Sequence, residues 1–380
     1  MRADLKTVVL VVKIWQRTGG LEAVNRDVAI FFKYFGWCVK VLSVFGKDDD
    51  QDSSEFDVSS LCPRGKYRRY LWCRFFWKYF VGLHVKRILK KGDMLIIGHA
   101  HLLPLIDSLP QTRIFKKWVW IYGIEVWGSQ AMRWVPFINK CDRVISISSF
   151  TADQVTSKGL TCPISIVPCC VDTTLFTPTT TPERIRRDEI LICGRMAVSE
   201  RYKGHQILFE SISIVENLLG HPISLRVIGS GDDQPRLEAI VKQLGLSNRV
   251  SFAGRVSNEE LVESYQHCGL FCMPSYVDRP RVDRWTGEGF GIVYVEAAAC
   301  ARPVIASNEG GAPETIIPGK TGLLIDPRSA NSVARAIAEI VSDPARADEM
   351  GRQGRILALA RFSQETFIGN VSNLLKVDAL

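Results

Sequence analysis

Two carboxylates, Glu288 and Glu296, stand eight residues apart around a glycine-rich turn, Gly287-Glu288-Gly289-Phe290-Gly291-Ile292, which runs into an alanine-rich segment closed by Arg302-Pro303. Glycine lets a backbone approach a ligand closely. The free amides of Phe290, Gly291 and Ile292 at a helix start would face an anion from the positive end of the helix dipole. Phosphate is the anion that suits such a turn. A carboxylate beside a phosphate is repelled unless it points at neutral hydroxyl groups, and sugars supply those. Glu288 and Glu296 would then hold hydroxyls at the two ends of one molecule with a diphosphate between them, which describes a nucleotide sugar. The alternative is a loop with a solvated Glu288 and an idle Glu296.

Two cations come from an earlier stretch. Ile190-Leu191-Ile192-Cys193-Gly194-Arg195 reads as a buried strand ending in glycine, and Lys203-Gly204-His205 opens a helix. Arg195 and Lys203 are the pair of positive charges that a diphosphate requires. In order along the chain stand Gly194-Arg195 with Lys203-Gly204, Val227-Ile228-Gly229-Ser230-Gly231-Asp232, Val250-Ser251-Phe252-Ala253-Gly254, Pro274-Ser275, the Glu288 to Glu296 stretch and Arg302-Pro303-Val304-Ile305-Ala306. Together, over residues 190–326, they closely resemble the donor half of family 4 glycosyltransferases.

That resemblance implies an α/β protein of the GT-B fold, with two Rossmann-like domains facing across a cleft. Residues 1–176 would form the acceptor domain, 177–187 the linker and 188–362 the sugar-nucleotide domain, with 363–380 crossing back onto the first. It implies Arg195 and Lys203 on the diphosphate, Glu296 on the ribose, and Glu288 with Gly289, Phe290, Gly291 and Ile292 around the sugar. Gly19-Gly20 resembles the loop that closes over the donor phosphate, a plain turn being the alternative. The family's reaction is retaining and uses no metal or other cofactor. The departing phosphate takes the proton of the attacking hydroxyl, so stabilising the leaving group matters more than a protein base. Where the family commonly carries a histidine after a first-domain strand, this chain has Tyr122, followed by Gly123-Ile124-Glu125. His99, at a neighbouring strand end, is either a substitute or a structural histidine.

The elements that must position these groups follow from the rest of the chain. At 380 residues, two domains are expected. Hydrophobic residues make up 46% and charged residues 23%, which excludes a disordered or low-complexity chain. Thr7 to Val12 reads as a first buried strand, a helical run from about Glu22 to Phe35 follows, and Val39 to Phe45, Asp93 to Ile97, Trp118 to Tyr122 and Val144 to Ser148 continue the alternation of a parallel sheet. Eleven cysteines in an odd set with no zinc spacing read as buried thiols. Asp48-Asp49-Asp50 is read as a solvated loop rather than a metal motif. No apolar run approaches the ~20 residues of a membrane helix, which suggests a cytoplasmic chain or one on the cytoplasmic face of a membrane.

Residues 64–91 stand apart in composition. They hold ten lysines and arginines, no acid and eight aromatic residues, so this one stretch exceeds the chain's net charge of +8. Trp72, Phe76, Phe80 and Leu83 follow helical spacing, with Arg74 and Lys78 off that stripe, a pattern suited to an anionic membrane surface. Arg68, Arg69, Arg74 and Lys78 are the cations assigned to it, and a lipid-linked saccharide is the acceptor it suggests. Packing of the aromatics inside the domain is the alternative. No nucleic-acid motif accompanies the charge. The sugar expected is a hexose, mannose or glucose. Two other functions fit the same residues: a non-catalytic membrane-surface subunit, which turnover of any sugar nucleotide would exclude, and a sugar-nucleotide epimerase, which would form product without an acceptor.

Overall fold

The computed structural model describes residues 6–13, 15, 20–44, 56–60, 81–109, 115–281 and 284–379. They divide into two compact units, Met1–Val167 and Pro168–Leu380.

In the first unit, β1 (Thr7–Val12), β2 (Cys38–Ser43), β3 (Asp57–Ser60), β4 (Met94–Ile97), β5 (Lys116–Ile121), β6 (Arg143–Ser146) and β7 (Ile164–Ile166) form one sheet in the order β3-β2-β1-β4-β5-β6-β7. Every neighbouring pair is parallel. A parallel sheet is covered on both faces, so its central strands read as unbroken apolar runs. Val8 to Val12 and Met94 to Ile97 are accordingly buried. Helix α1 (Gly20–Tyr34) turns Val24, Val28, Phe31 and Phe32 inward at the spacing of one helical face. Helix α2 covers residues 81–88. A 3-10 segment spans Ala100–Ser108, and α3 (Gln130–Ile138) and α4 (Ser149–Thr156) complete the unit. The chain leaves β1 for β2 on one side and returns to β4 on the other. The carboxyl ends of β1 and β4 therefore flank a topological switch point, where such sheets place their ligands.

The second unit repeats the plan. Its strands are β8 (Arg186–Cys193), β9 (Ser224–Ile228), β10 (Val250–Gly254), β11 (Cys268–Met273), β12 (Asp278–Arg281), β13 (Arg284–Thr286), β14 (Val304–Ser307) and β15 (Gly322–Ile325). Six form a sheet in the order β10-β9-β8-β11-β14-β15, with its switch point between β8 and β11, while β12 and β13 pair as a separate antiparallel ribbon. The helices are α5 (His205–Leu219), α6 (Gln234–Gln243), α7 (Asn258–His267), α8 (Ile292–Ala299), α9 (Ala330–Val341), α10 (Pro344–Phe362) and α11 (Gln364–Ala379). Ala301 takes a left-handed conformation, φ 55°, just beyond α8, and the chain turns there into Arg302-Pro303 and β14.

Some boundaries differ from the sequence reading. β8 takes in Arg186 and Arg187 at the end of the expected linker. The terminal helix begins after Ser363, at the expected division, where the extended backbone of Ser363 ends α10 and its hydroxyl accepts the Thr366 amide at 3.2 Å. α11 belongs to the second compact unit. Gly19, Asp48 to Asp50, Arg68, Arg69, Arg74 and Lys78 lie outside the described residues. Of the basic stretch, α2 buries Val81 and Val85 and leaves Leu83, Lys86 and Arg87 exposed. Among the described residues no helix is long and apolar enough to cross a membrane.

Candidate active site

The loop after β8 carries both predicted cations. Lys203 is largely buried, and its Nζ lies 3.4 Å from Oε2 of Glu288 and 3.8 Å from Oε2 of Glu200. Burial pulls the lysine's pKa down, but Glu288, Tyr202 and Glu200 outweigh it, and the net shift is upward. Lys203 is therefore a permanent cation. Arg195 is 65% exposed at its side chain, and its guanidinium lies 2.5 Å from Oε1 of Glu200. One carboxylate thus reaches both cations.

The loop is fixed from behind. Gly204 has φ 79°, and a side chain there would run into the Pro274 carbonyl. The Tyr276 amide donates to the Tyr202 carbonyl at 2.8 Å, joining the loops that follow β8 and β11. Buried Asp233 accepts hydrogen bonds from Arg201 and Arg236, and these hold its carboxyl down at about 2. The same loop is anchored at Val198, whose amide donates to Asp232 at 2.8 Å.

The glycine-rich turn meets this loop through Glu288. Its carbonyl accepts the Gly311 amide at 2.9 Å. Gly291 caps α8 with φ 91°, a conformation that disfavours other residues, and no side chain caps the helix. Among the described residues, no acceptor engages the amides of Phe290, Gly291 and Ile292. The Phe290 ring is buried against Phe362 at 5.6 Å, so only its backbone is available to a ligand. Tyr294, one turn on, donates to the Met273 carbonyl at 2.7 Å and contacts the Ser275 hydroxyl at 2.9 Å, which ties α8 to the end of β11.

Glu296 lies four residues into α8, about 6 Å along its axis. Tyr265 from α7 donates to its Oε2 at 2.8 Å. Desolvation lifts this carboxyl to about 7, and the tyrosine hydrogen bond opposes the rise only in part. Its other oxygen has no hydrogen-bond partner among the described residues.

In the first unit Tyr122 follows β5. Its hydroxyl donates to Oδ1 of Asn25 at 3.0 Å, and its amide donates to Glu125 at 2.6 Å. The phenol thus directs its one proton at Asn25. Burial raises the Glu125 carboxyl, against three backbone amides and the charge of Lys13. Burial also depresses Lys13. His99 is buried, and its Nδ1 accepts the His101 amide at 3.0 Å to cap the 3-10 segment. Burial, Lys13 and His101 push its pKa well below the ordinary value, so it is neutral. Gly20 is the exposed first residue of α1.

Arg195, Lys203, Glu288 and the turn amides are therefore brought together at one switch point, with Glu296 on the helix that follows. Sequence reasoning missed Glu200, which lies between the two cations, and Tyr265, the partner of Glu296. An acid five residues after Arg195 and three before Lys203 was the available signal for Glu200. Nothing in the sequence pointed from Tyr265 to Glu296. The cysteines are free thiols among the described residues, Cys300 buried and Cys193 pushed up to about 12 by desolvation.

Two family models match the chain: "Glycosyltransferase Family 4" over residues 18–175 and "Glycosyl transferases group 1" over residues 183–356. A GDP-mannose-dependent alpha-(1-6)-phosphatidylinositol monomannoside mannosyltransferase of Mycobacterium tuberculosis is 31% identical over 313 residues, 78% of this chain and 80% of that protein. Among solved structures, sucrose-phosphate synthase of Thermosynechococcus elongatus aligns with TM-score 0.79 at 23% identity, covering 98% of each chain. HepE of Anabaena, solved in complex with UDP, aligns with TM-score 0.78 at 17% identity over 98% of this chain and 100% of that one.

Proposed function

The chain belongs to family 4 of the glycosyltransferases, with the GT-B fold, and from that premise we propose that it moves mannose from a nucleoside-diphosphate sugar to a hydroxyl of a lipid-linked acceptor, with retention and without a metal ion. The observation that carries this reading is the grouping of Arg195, Lys203 and Glu288 beside the unengaged amides of Phe290, Gly291 and Ile292. Arg195 and Lys203 would hold the diphosphate and take up its growing charge as the glycosidic bond breaks. The amides at the head of α8 add the helix dipole to that stabilisation. Glu288 would accept from hydroxyls of the sugar, and the open oxygen of Glu296 from the ribose. The leaving phosphate would remove the proton of the incoming hydroxyl on the same face of the sugar, so no protein base is assigned. Tyr122, committed to Asn25, would contribute as a neutral group.

Mannose and a phosphatidylinositol-type acceptor are favoured by the mycobacterial relative, and a peripheral position on the cytoplasmic face of the membrane by that acceptor and the basic stretch. The test is incubation with GDP-, UDP- and ADP-sugars and lipid-linked acceptors, reading released nucleotide, labelled lipid and the anomeric configuration of the product. Transfer with inversion would overturn the retaining assignment. Loss of activity in EDTA, restored by a divalent cation, would overturn the metal-free one. Nucleotide release only with a donor other than GDP-mannose would overturn the choice of sugar.

A further inference from the structure

Among the described residues, Glu296 receives a hydrogen bond from one side chain, the hydroxyl of Tyr265, 2.8 Å from its Oε2. Tyr265 stands in the last turn of α7 and is fully buried. Its ring lies edge-on to Phe176 at 5.9 Å and beside Phe271 of β11 at 5.7 Å, so packing on two sides fixes where the hydroxyl can reach. A buried phenol needs an acceptor for its hydrogen, and an ionised carboxylate is the strongest available. Burial, together with the charge of Glu296, raises the phenol well above its ordinary value, and it keeps that hydrogen across the neutral range.

The contact divides the carboxylate between two tasks. Tyr265 occupies Oε2, which leaves Oε1 for a ligand hydroxyl. Two hydroxyl donors suit the group only while it is ionised, because a protonated carboxyl carries a hydrogen of its own. The other ionisable groups beside it are Cys193 at the end of β8 and Cys300 just beyond α8; burial raises both thiols, so both are neutral. Lys203 reaches Cys193 electrostatically, but Glu296 is governed by burial, which lifts it to about 7, and by the opposing phenol. Removing the phenol deletes a hydrogen bond to the charged form, which moves a carboxyl upward by about one to two pH units.

We infer that Tyr265 is a positioning residue of the donor site: its hydroxyl holds Oε2 of Glu296 and so keeps the carboxylate an acceptor for the ribose hydroxyls at Oε1. The inference rests on the proposed ribose role of Glu296.

The test measures the affinity of the full chain for GDP and UDP, which share the ribose, between pH 6 and pH 9 in wild type, Tyr265→Phe, Glu296→Gln and the double variant. Phenylalanine keeps the ring and its packing. Tyr265→Phe should bind about 5- to 50-fold more weakly at pH 7, the ionised fraction that such a shift removes, and come within about threefold of wild type at pH 9. Lost packing would not recover at alkaline pH. In the Glu296→Gln background the same change should have no further effect. A second readout follows the Glu296 carboxyl by 13C NMR in glutamate-labelled protein, with its signal identified by its absence in Glu296→Gln; Tyr265→Phe should move its titration to higher pH. An equal loss at pH 7 and pH 9, an additive loss in the double variant or an unmoved titration would overturn the inference. Equal affinity of wild type for GDP and its 2′,3′-dideoxy analogue would refute the ribose role itself, and the inference with it, even where the carboxyl titration had moved.

Discussion

Replacing Lys203 by methionine removes the charge and keeps most of the side chain's bulk. Glu288 is then left 18% exposed at its side chain, without the cation 3.4 Å away. Removing one partner of a buried ion pair costs about 3–5 kcal/mol, and the residual exposure here argues for the lower end, about 3 kcal/mol. If the unit Pro168–Leu380 melts on its own, that lowers its Tm by roughly 6–12 °C. Turnover should fall by about 10²-fold or more, because the lost contact strengthens as the leaving group gains charge. The two effects separate in Lys203→Met/Glu288→Gln. The second change removes the stranded charge, so calorimetry should show most of the lost stability restored, while nucleotide release stays at or below the level of Lys203→Met. If Glu288→Gln restored turnover, or if Lys203→Met kept wild-type turnover, Lys203 would be a structural cation and the diphosphate assignment would be wrong. The pair cannot account for a pH optimum. A lysine raised in the fold contributes its stability fully below its unfolded pKa and loses it only at strongly alkaline pH.

Glu288→Gln should lower turnover with donor binding little changed, whereas Glu296→Gln should weaken the sugar nucleotide and the free nucleotide alike; the same pattern in both would refute the division of roles. Because Glu296 is raised to about 7, its ionised fraction grows roughly tenfold from pH 6 to pH 8, and donor KM should fall over that window in wild type and stay flat in Glu296→Gln. The stability sign is opposite: the unfolded chain gives up this proton at lower pH than the folded chain, so stability declines as pH rises from about 4.5 to 7. Tyr122→Phe should reduce activity severalfold with the fold intact and His99→Ala should change it little beyond a modest loss of stability, whereas a severe loss at His99 with a silent Tyr122→Phe would reverse the two. Replacing Arg68, Arg69, Arg74 and Lys78 by Glu should abolish sedimentation with anionic vesicles and transfer to a lipid acceptor, at about 1 kcal/mol per cation, and leave slow donor hydrolysis; sedimentation unaffected by the change or by salt would refute the membrane role.

The central strands were legible because a parallel sheet buried on both faces leaves an unbroken apolar run, as in Thr7–Val12 and Met94–Ile97. The grouping of Arg195, Lys203 and Glu288 was legible because glycines mark close backbone approach. β12 was not. Pro280 and two arginines hide a strand, and proline is tolerated there because the ribbon has free edges. The boundary at residue 363 came from the family resemblance, since apolar residues run on through Phe367 and Val371, both buried, and the helix ends on a single serine cap. The Tyr265 to Glu296 contact joins two helices thirty-one residues apart, and no local pattern encodes such a pairing.

Glu200 gives the clamp a further meaning. Arg195 and Lys203 would repel one another if held close in a dry loop, and Glu200 lies within reach of both while its Oε2 has no hydrogen-bond partner. Glu288 adds a second negative charge at Lys203. That the lysine's pKa rises in spite of burial means that the local potential already favours a cation at that position. A diphosphate bound as proposed would therefore compete with two carboxylates for the same charges, and compete best when its own charge is greatest. In the intact sugar nucleotide the bridging oxygen is bonded to the sugar; in the departing nucleoside diphosphate it carries a full charge. On the proposed assignment the cations would be drawn from the carboxylates to the phosphate as the bond breaks, and the interaction gained would be larger in the transition state than in the ground state. Only such a difference accelerates the chemical step. On this argument Glu200, between the cations, and Glu288, beside Lys203, would not weaken the clamp as a catalyst; they would hold it back from binding the intact donor as tightly as its leaving group.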